Sequence, residues 1–345
     1  MQGSRNAVRY KAAGINLYVA SSDDLSASSL AELQKAGISL ICDQNEFTLK
    51  NKKNPVIVGW MHGDEPDNAQ SIPNVEGYGP PILPQKIIQS YEKIRATDPT
   101  RPVLLNLGQG AAWDDYFGRG VRTNHPEDYA EYAKGSDIVS FDIYPVTDDS
   151  PKVSGKLELV PQGVQRLIAW TQGKKPVWNC IECTHVGNPN AKPTPEQVRS
   201  EVWMSLINGS RGLIYFSHEF KPAFKEAGLL ADPEMLAAVT AINQQIHALA
   251  PVLNSENLKN RAIVKSSDAD ASIASMVKHG KDGLYVFAVN MRNKATRGSV
   301  TLPGVNKTVG VDVLGESRQV SAPNGSFGDD FKPYAVHIYQ IKGLQ

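Results

Sequence analysis

The chain has 345 residues, which is enough for one large domain or two ordinary ones. Apolar residues make up 41% and charged residues 21%, a globular composition that excludes wholesale disorder. The 36 Lys and Arg balance the 36 Asp and Glu, so the basic excess typical of nucleic-acid-binding proteins is absent and we expect no nucleic-acid partner.

No apolar run reaches the roughly 18 to 20 residues of a membrane-spanning helix, so we expect no membrane partner. Residues 1–13 are polar and basic and lack the apolar core of a signal peptide, which leaves the compartment open, with export of a longer form as an alternative. Cys42, Cys180 and Cys183 are too few for a disulfide framework. On a strand, Cys180 and Cys183 point to opposite faces, which argues against one shared metal.

Seven apolar, strand-like runs alternate with helical patterns through the first 250 residues. Most are continuous β-branched stretches, which are typical of parallel strands that are buried on both faces. The runs are Ile15 to Ala20, Ile38 to Cys42, Val56 to Trp60, Val103 to Leu107, Ile138 to Ile143, Val177 to Ile181 and Gly212 to Phe216. Helices are predicted at 26–35, 84–96, 126–134, 161–171, 195–207 and 233–249, most of them beginning at a proline. This order predicts a (β/α) TIM-type barrel, with a doubly wound open sheet as the alternative.

After residue 250 the pattern changes to alternating apolar and polar residues between Gly, Asn and Pro turns. Strands are predicted at Ile273 to Val277, Leu284 to Val289, Gly298 to Leu302, Thr308 to Val313 and Ala335 to Gln340. We therefore predict a barrel domain at 1–250, a linker at 251–260 and a small antiparallel β-sandwich at 261–345.

Carboxylates follow two of the predicted barrel strands. Asp64 and Glu65 come directly after the third strand, in His62-Gly63-Asp64-Glu65-Pro66, and Glu182 ends the sixth. Since residues at strand C-termini line the active site of such barrels, we expect these carboxylates at the barrel mouth. Two facing carboxylates suit glycoside hydrolysis, one as proton donor and one as nucleophile or base. The alternative is structural, with Glu65 beside a helix N-cap and Glu182 in a buried ion pair.

Gly63-Asp64-Glu65-Pro66 after a strand, and Glu182 at the end of a strand opened by Lys175-Pro176-Val177, resemble the catalytic strands of clan A glycoside hydrolases. Ser140-Phe141-Asp142-Ile143-Tyr144-Pro145 is similar to the clan's sixth strand and Gly212 to His218 to its eighth. The resemblance implies a retaining β-glycosidase without cofactor or metal, in which Glu65 is the acid/base, Glu182 the nucleophile and Tyr144 a group that orients the nucleophile. Asp64 stands where the clan normally has Asn.

The resemblance also bears on the strand count. Glu65 and Glu182 match the ends of the clan's strands 4 and 7 only if one strand is missing before Ile15. We therefore expect an incomplete barrel of seven strands that lacks the first one. Its free strand edges would need cover from the N-terminal residues, from side chains or from a second subunit, which makes a homodimer a candidate assembly.

Further polar and aromatic side chains are expected at the same rim. Trp113, Tyr116 and Phe117 lie in a loop where aromatic rings could stack on sugars, although packing of the loop explains them equally well. The predicted substrate-binding residues are Asp64, Asn106, Trp113, Asp142, Tyr144, Asn179, His185 and His218. Asp142 is the alternative nucleophile and Glu219 a weaker one. The competing functions are a non-catalytic carbohydrate-binding protein with a degenerate barrel and a different barrel hydrolase that uses Asp142.

Overall fold

The computed structural model describes residues 3–20, 25–72, 74 and 76–344. Parallel strands alternate with helices in its first part, as predicted. The strands are β1 Leu17–Ala20, β2 Ser39–Cys42, β3 Ile57–Met61, β4 Val103–Leu107, β5 Ile138–Phe141, β6 Trp178–Glu182 and β7 Gly212–Phe216. The helices are α1 Ala7–Ala12, α2 Ala27–Ala36, α3 Glu46–Lys50, α4 Pro84–Thr97, α5 Asp128–Tyr132, α6 Leu159–Trp170, α7 Pro195–Ile207, α8 Gly228–Ala231 and α9 Pro233–Leu253.

The parallel strands form an open barrel. Strands β1 to β5 pair in sequence order and β6 pairs with β7. A single parallel bridge between Val139 and Val177 connects the two groups. Within the described ranges no backbone pairing joins β7 back to β1, so the sheet has seven strands and remains open. The predicted fold class, an incomplete TIM-type barrel, is confirmed.

Helix α1 lies across the region between the two free edges. The ring of Tyr10 meets that of Tyr18 on β1 edge to face, with centroids 5.9 Å apart. From the same segment, the Arg9 guanidinium donates to the Leu230 carbonyl at 3.0 Å, and the Asn243 side chain of α9 donates to the Ala13 carbonyl at 2.8 Å. The N-terminal residues thus provide cover of the kind that the free edges require.

Local signals explain where the helices begin and end. The Ser26 hydroxyl accepts the Ser29 N–H at 3.1 Å before α2, and Gly37 adopts φ 69° directly after the helix, a conformation that favours glycine. Thr194 and Gln197 form the reciprocal capping box that the sequence indicates for α7. These caps determine where α2 and α7 begin and where α2 ends.

Eight antiparallel strands follow the barrel. They are β8 Ile263–Ser266, β9 Ile273–Gly280, β10 Gly283–Asn290, β11 Thr296–Thr301, β12 Val309–Val313, β13 Arg318–Ala322, β14 Ser326–Phe331 and β15 Val336–Lys342. One sheet has the order β13-β12-β15-β10-β9 and the other β14-β11-β8, with a shared apolar core. The predicted β-sandwich is confirmed.

The outer face of the larger sheet packs on α7 and α9. The ring of Trp203 stacks on that of Phe287 at 5.5 Å, and the Ser200 hydroxyl donates to the Tyr334 carbonyl at 2.8 Å. By length and composition alone α9 is apolar enough to cross a membrane. In the structure, however, its Val239 is buried in the barrel core and its Leu249 in the core between barrel and sandwich. Because α9 ends at Leu253, it enters the segment assigned to the linker. The division into barrel, linker and sandwich stays a prediction.

Candidate active site

Glu65 lies in the turn that follows β3. Its φ is 44°, in the left-handed region that a residue with a side chain rarely adopts. The Glu65 N–H donates to the Asn106 carbonyl at 3.2 Å, and its carbonyl accepts the Asn68 N–H at 3.1 Å. The surrounding turn therefore holds a strained backbone in place, a situation that is common where a side chain must be aimed at a site.

Asp142, directly after β5, supplies the carboxyl group that meets Glu65. The two carboxyls share a hydrogen bond. Burial raises the pKa of Glu65, and the negative charge of Asp64 raises it further, while the hydrogen bond to Asp142 opposes the shift. Burial and the charge of Glu65 raise the pKa of Asp142 well above its ordinary value. Two like charges in contact are unfavourable, so the pair retains a proton near neutral pH.

A buried network lies under the turn that carries Glu65. Asp67 is 0% exposed and accepts hydrogen bonds from the Gly108 N–H at 2.8 Å and the Tyr129 hydroxyl at 2.9 Å. The guanidinium of Arg119 lies 4.8 Å from the centre of the Tyr129 ring and donates to Asp128 at 2.8 Å. Sequence reasoning missed Asp67 and Arg119: Asp67 follows Glu65 by two residues, but nothing local identifies its partners.

Asp64 lies on the open side of the same turn, and its partner Asn106 is buried on β4. Asp64 is exposed, and its carboxylate accepts a hydrogen bond from the Asn106 side-chain amide at 2.9 Å. The Asn106 side-chain oxygen in turn accepts from the Ser140 hydroxyl at 2.7 Å. A carboxyl group with one amide donor is therefore presented to the opening next to the Glu65–Asp142 pair.

Glu182 occupies a different environment from the one expected. Its carboxylate is 0% exposed and accepts the backbone N–H groups of Val146 at 2.6 Å and Thr147 at 3.0 Å. Burial raises its pKa to about 7, opposed by these two N–H groups. Its neighbouring carboxyl is Glu201 of α7 rather than Glu65. The structure thus brings Asp142, the alternative nucleophile, into contact with Glu65, and encloses Glu182 behind the loop that follows β5.

Tyr144 lies next to this carboxyl pair. Its hydroxyl and the Oδ1 atom of Asp142 are buried, and neither makes a hydrogen bond of ordinary geometry. The buried thiol of Cys180 on β6 is close enough for the charge of Asp142 to raise the pKa of the thiol, after burial itself. Sequence reasoning did not assign Cys180 to the site, because a cysteine inside an apolar strand looks like core packing.

Aromatic rings extend from Tyr144 along the end of β7. The ring centroid of Tyr144 is 5.2 Å from that of Phe216, which is 5.3 Å from Phe220. His218 lies nearly parallel to Phe220 and to Phe224, with centroid distances of 6.4 and 5.7 Å. Phe220 and Phe224 are 46% and 62% exposed, which is unusual for phenylalanine. His218 is thus part of an aromatic cluster that opens to solvent.

A second aromatic group follows β4. Trp113 is half-buried and its ring lies 6.3 Å from that of Tyr116, which in turn lies 5.8 Å from that of Phe117. Burial raises the pKa of Tyr116, and the charges of Glu65 and Asp142 raise it further, so this hydroxyl is on the carboxyl side of the loop. Phe117 is 78% exposed.

Two predicted binding residues lie elsewhere. The Asn179 side chain is 1% exposed and donates to the Ser205 hydroxyl of α7 at 2.9 Å, so it faces the helix layer rather than the opening. His185 is half-buried, with Nδ1 2.9 Å from the Ala191 carbonyl oxygen, and its own carbonyl accepts the Phe220 N–H at 2.9 Å. It therefore supports the loop that carries the exposed phenylalanines. Over the described ranges, no three His, Cys, Asp or Glu side chains are grouped as a metal site.

The fold is that of known glycosidases. A noncanonic maltogenic alpha-amylase, AmyB from Thermotoga neapolitana, is similar at a TM-score of 0.57 and 9% identity, over 98% of this chain and 93% of that one. An Anoxybacillus alpha-amylase gives 0.55 and 10%, over 99% and 90%, and a glucosidase from Croceicoccus marinus gives 0.50 and 11%, over 98% and 92%. No family model and no curated protein matches the sequence. At these identities the likeness establishes the architecture alone.

Proposed function

We propose that the protein is a glycoside hydrolase whose proton donor is Glu65. The observation that carries this proposal is the contact between the carboxyls of Glu65 and Asp142 at the C-terminal ends of β3 and β5. Active sites of such barrels lie at that edge of the sheet. A carboxylic acid that keeps its proton near neutral pH is what a glycosidic leaving oxygen requires.

The chemistry follows from the two carboxyls. In the free protein the hydrogen bond between the carboxyls lowers the pKa of Glu65 and raises that of Asp142, so entry of a sugar between them has to leave the shared proton on Glu65 and Asp142 ionised. Glu65 then gives that proton to the glycosidic oxygen as the bond to the anomeric carbon breaks. In the retaining path that the clan A resemblance implies for a β-linkage, the second carboxylate attacks that carbon and forms a glycosyl ester. Water, deprotonated by Glu65, then hydrolyses the ester and restores both groups. The exposed carboxyl of Asp64, next to this pair, contributes to stabilising the positive charge that develops on the sugar.

The surroundings of Asp142 fit the role of nucleophile better than those of Glu182 do. Asp142 as a whole is half-buried with its Oδ1 atom enclosed, and its carboxyl contacts that of the proposed proton donor. The Glu182 carboxylate has no exposed surface, and both of its oxygens already accept backbone N–H groups. A nucleophile has to contact the anomeric carbon, with a separation of about 5 to 5.5 Å between the two carboxyls in retaining enzymes. For Asp142 to act, a bound sugar has to separate its carboxyl from that of Glu65. For Glu182 to act, the sugar would have to displace the two backbone N–H groups that the Glu182 carboxylate accepts.

A carbohydrate is also the substrate class that fits the surroundings. Exposed phenylalanines at 220 and 224 and the aromatic loop with Trp113 offer flat apolar faces beside carboxylates and an amide. Sugars present the same combination, with C–H faces for stacking and hydroxyls for hydrogen bonds. The balanced charge of the chain supports a neutral rather than an anionic substrate.

The test is turnover of a panel of nitrophenyl glycosides of both anomers, together with oligosaccharides, by the wild-type protein and by Glu65→Gln, Asp142→Asn and Glu182→Gln. We expect the first two variants to lose about 100-fold or more in kcat. Azide should restore activity to Asp142→Gly and yield a glycosyl azide of inverted configuration. Restoration of Glu182→Gly instead would assign the nucleophile to Glu182. Saccharide binding without turnover by the wild type would contradict the hydrolase and support the non-catalytic carbohydrate-binding protein.

A further inference from the structure

Two glutamates are buried together behind the candidate site. Glu182 at the end of β6 and Glu201 on α7 are both 0% exposed, and their carboxyls are close enough for the charge of Glu182 to act on Glu201. Neither oxygen of Glu201 makes a hydrogen bond of ordinary geometry to a donor group. Two ionised carboxylates in contact and away from water are strongly disfavoured, so the pair has to hold a proton.

The hydrogen bonds around the pair are asymmetric. Glu182 accepts two backbone N–H groups, from Val146 and Thr147, and such donors favour the ionised form. The charge therefore resides on Glu182, and the proton resides on Glu201, which donates it to Glu182. The shifts agree with this assignment: burial and the charge of Glu182 raise the pKa of Glu201 well above its ordinary value.

The two N–H groups belong to the loop that follows β5, which reaches the candidate site on both sides. Tyr144, two residues before Val146, lies against Phe216 and next to Asp142. Asp148, directly after Thr147, accepts a hydrogen bond from the Gln109 side chain at 3.0 Å. One carboxylate thus fixes the middle of a loop whose two ends carry rim side chains.

Among the described residues, the ionisable groups that act on the pair are carboxyls and a thiol rather than cations. Cys183, next to Glu182 in the chain, is buried and is acted on by the charges of Glu182, Glu201 and Asp232, the residue that caps α9. From the loop the pair receives the backbone N–H groups and the Thr147 hydroxyl. Among the described residues, the charge that acts on Glu201 is that of Glu182. A proton, rather than a counter-ion, therefore keeps this pair together.

We propose that Glu201 is a positioning residue: its proton allows Glu182 to hold residues 144–148, and loss of that proton at alkaline pH releases the loop and displaces Tyr144. This inference rests on the proposed function, because positioning of Tyr144 matters only at a site that turns over a substrate. It also gives Glu182 a role that differs from that of a nucleophile.

The test compares Glu201→Gln and Glu182→Gln with the wild type, and uses Glu196→Gln, an exposed glutamate of α7, as the matched control. A glutamine at 201 donates to Glu182 at every pH, whereas a glutamine at 182 can accept only one of the two N–H groups. Thermal unfolding and hydrogen–deuterium exchange of the peptide 142–150, corrected for intrinsic rates, are measured from pH 5.5 to 8.5.

The direction follows from proton linkage. The native pair binds a proton that the unfolded chain releases above its ordinary glutamate pKa of about 4.3, so the stability of the wild type falls as pH rises through this range. In Glu201→Gln we expect Tm to fall less steeply with pH, by the slope that corresponds to about one bound proton. The loop of this variant should remain protected from hydrogen exchange at pH 8.5. Glu182→Gln should lose that protection at every pH, and Glu196→Gln should follow the wild type.

Equal Tm slopes for Glu201→Gln and the wild type would overturn the shared proton. Unchanged exchange of the peptide 142–150 in Glu182→Gln would overturn the role of Glu182 in holding the loop. Both readouts need no substrate, so they are separate from the proposed function, which fails if the wild type turns over nothing on the glycoside panel. Azide rescue of Glu182→Gly would also reject a positioning role, because it would make Glu182 the nucleophile.

Discussion

The network around Asp67 permits a quantitative prediction. Asp67→Asn keeps the shape of the side chain but leaves one acceptor oxygen for two donors, the Gly108 N–H and the Tyr129 hydroxyl. One donor then faces an amide group instead of an oxygen. A buried polar group that loses its partner costs about 1 to 3 kcal/mol. Burial also raises the pKa of Asp67, because its charged form is poorly solvated there. Replacing the carboxylate by a neutral amide removes part of this desolvation cost. The lost hydrogen bond costs more, so we expect the substitution to lower the free energy of unfolding.

We therefore expect Asp67→Asn to destabilise the protein by about 2 kcal/mol, the middle of that range. For a barrel of this size each kcal/mol corresponds to about 2 to 4 °C, so Tm should fall by about 4 to 8 °C. Turnover should fall about 10- to 100-fold, because Asp67 holds the turn that aims Glu65 and small displacements of a catalytic group are costly. Thermal unfolding and steady-state kinetics measure both effects.

Tyr129→Phe serves as the control for this reasoning. Alone it removes one hydrogen bond and should cost about 1 kcal/mol. Combined with Asp67→Asn it should add little, because the introduced asparagine side chain can then direct its oxygen to the Gly108 N–H and its amide away from a donor. Strict additivity of the two changes in a double-mutant cycle would refute the shared-acceptor argument. A change in Tm of less than about 2 °C for Asp67→Asn would refute the cost assigned to the unpaired donor.

Three further predictions follow from named contacts. Since burial raises the pKa values of both Glu65 and Asp142, turnover should fall on the alkaline side as the pair loses its shared proton. Gly108→Ala should lower kcat with little change in KM, because a Cβ there would lie 2.5 Å from Oδ1 of Asn68, next to Glu65. Burial alone would raise the pKa of Asp98, yet hydrogen bonds, including that of Arg101, hold it at about 2, so Arg101→Ala should lower Tm most above pH 4 and least near pH 2.

Each of these has a result that would contradict it. A pH profile of kcat/KM that is flat from pH 6 to 9 would mean that no protonated carboxyl limits the reaction. Wild-type kcat in Gly108→Ala would show that the Asn68 side chain can move without effect on its neighbour. A Tm difference between wild type and Arg101→Ala that stays constant from pH 6 to 2 would show that Arg101 stabilises the fold through contacts that do not titrate, such as its hydrogen bond to the Ile57 carbonyl at 2.7 Å or its packing on Trp60 at 5.7 Å, rather than through Asp98.

The barrel strands were predictable because their signal is local and strong. A run such as Val103 to Leu107 is buried at every position, so its sequence is apolar almost throughout. In the sandwich, β8, β13 and β14 gave no prediction. Ser326–Phe331 contains a glycine and two aspartates, and Arg318–Ala322 is an edge strand with polar residues at three of its five positions, two of them adjacent, so neither has a clear apolar pattern.

The site shows the same limit more sharply. Glu65 could be identified from the sequence because two adjacent carboxylates, Asp64 and Glu65, follow a buried strand, and packing alone would not favour them there. Which second carboxylate faces it depends on contacts between distant segments: Asp142 meets Glu65 from another strand, and Glu182 is turned toward Glu201 on a helix. The pattern of β6 is the same whether its last residue faces the opening or α7.

The buried position of Glu182 limits what the resemblance to clan A implies about the nucleophile. A glutamate at the end of the sixth strand matches the clan by sequence, but chemistry depends on the atoms that its carboxylate can reach. Here both oxygens accept backbone N–H groups and no surface is exposed, so catalysis at Glu182 would require the loop 144–148 to leave. Asp142 contacts Glu65, the proposed proton donor, without any such movement. The hydrogen-bond partners therefore favour Asp142 as the proposed nucleophile, whereas strand position favours Glu182, and the azide experiment decides between the two.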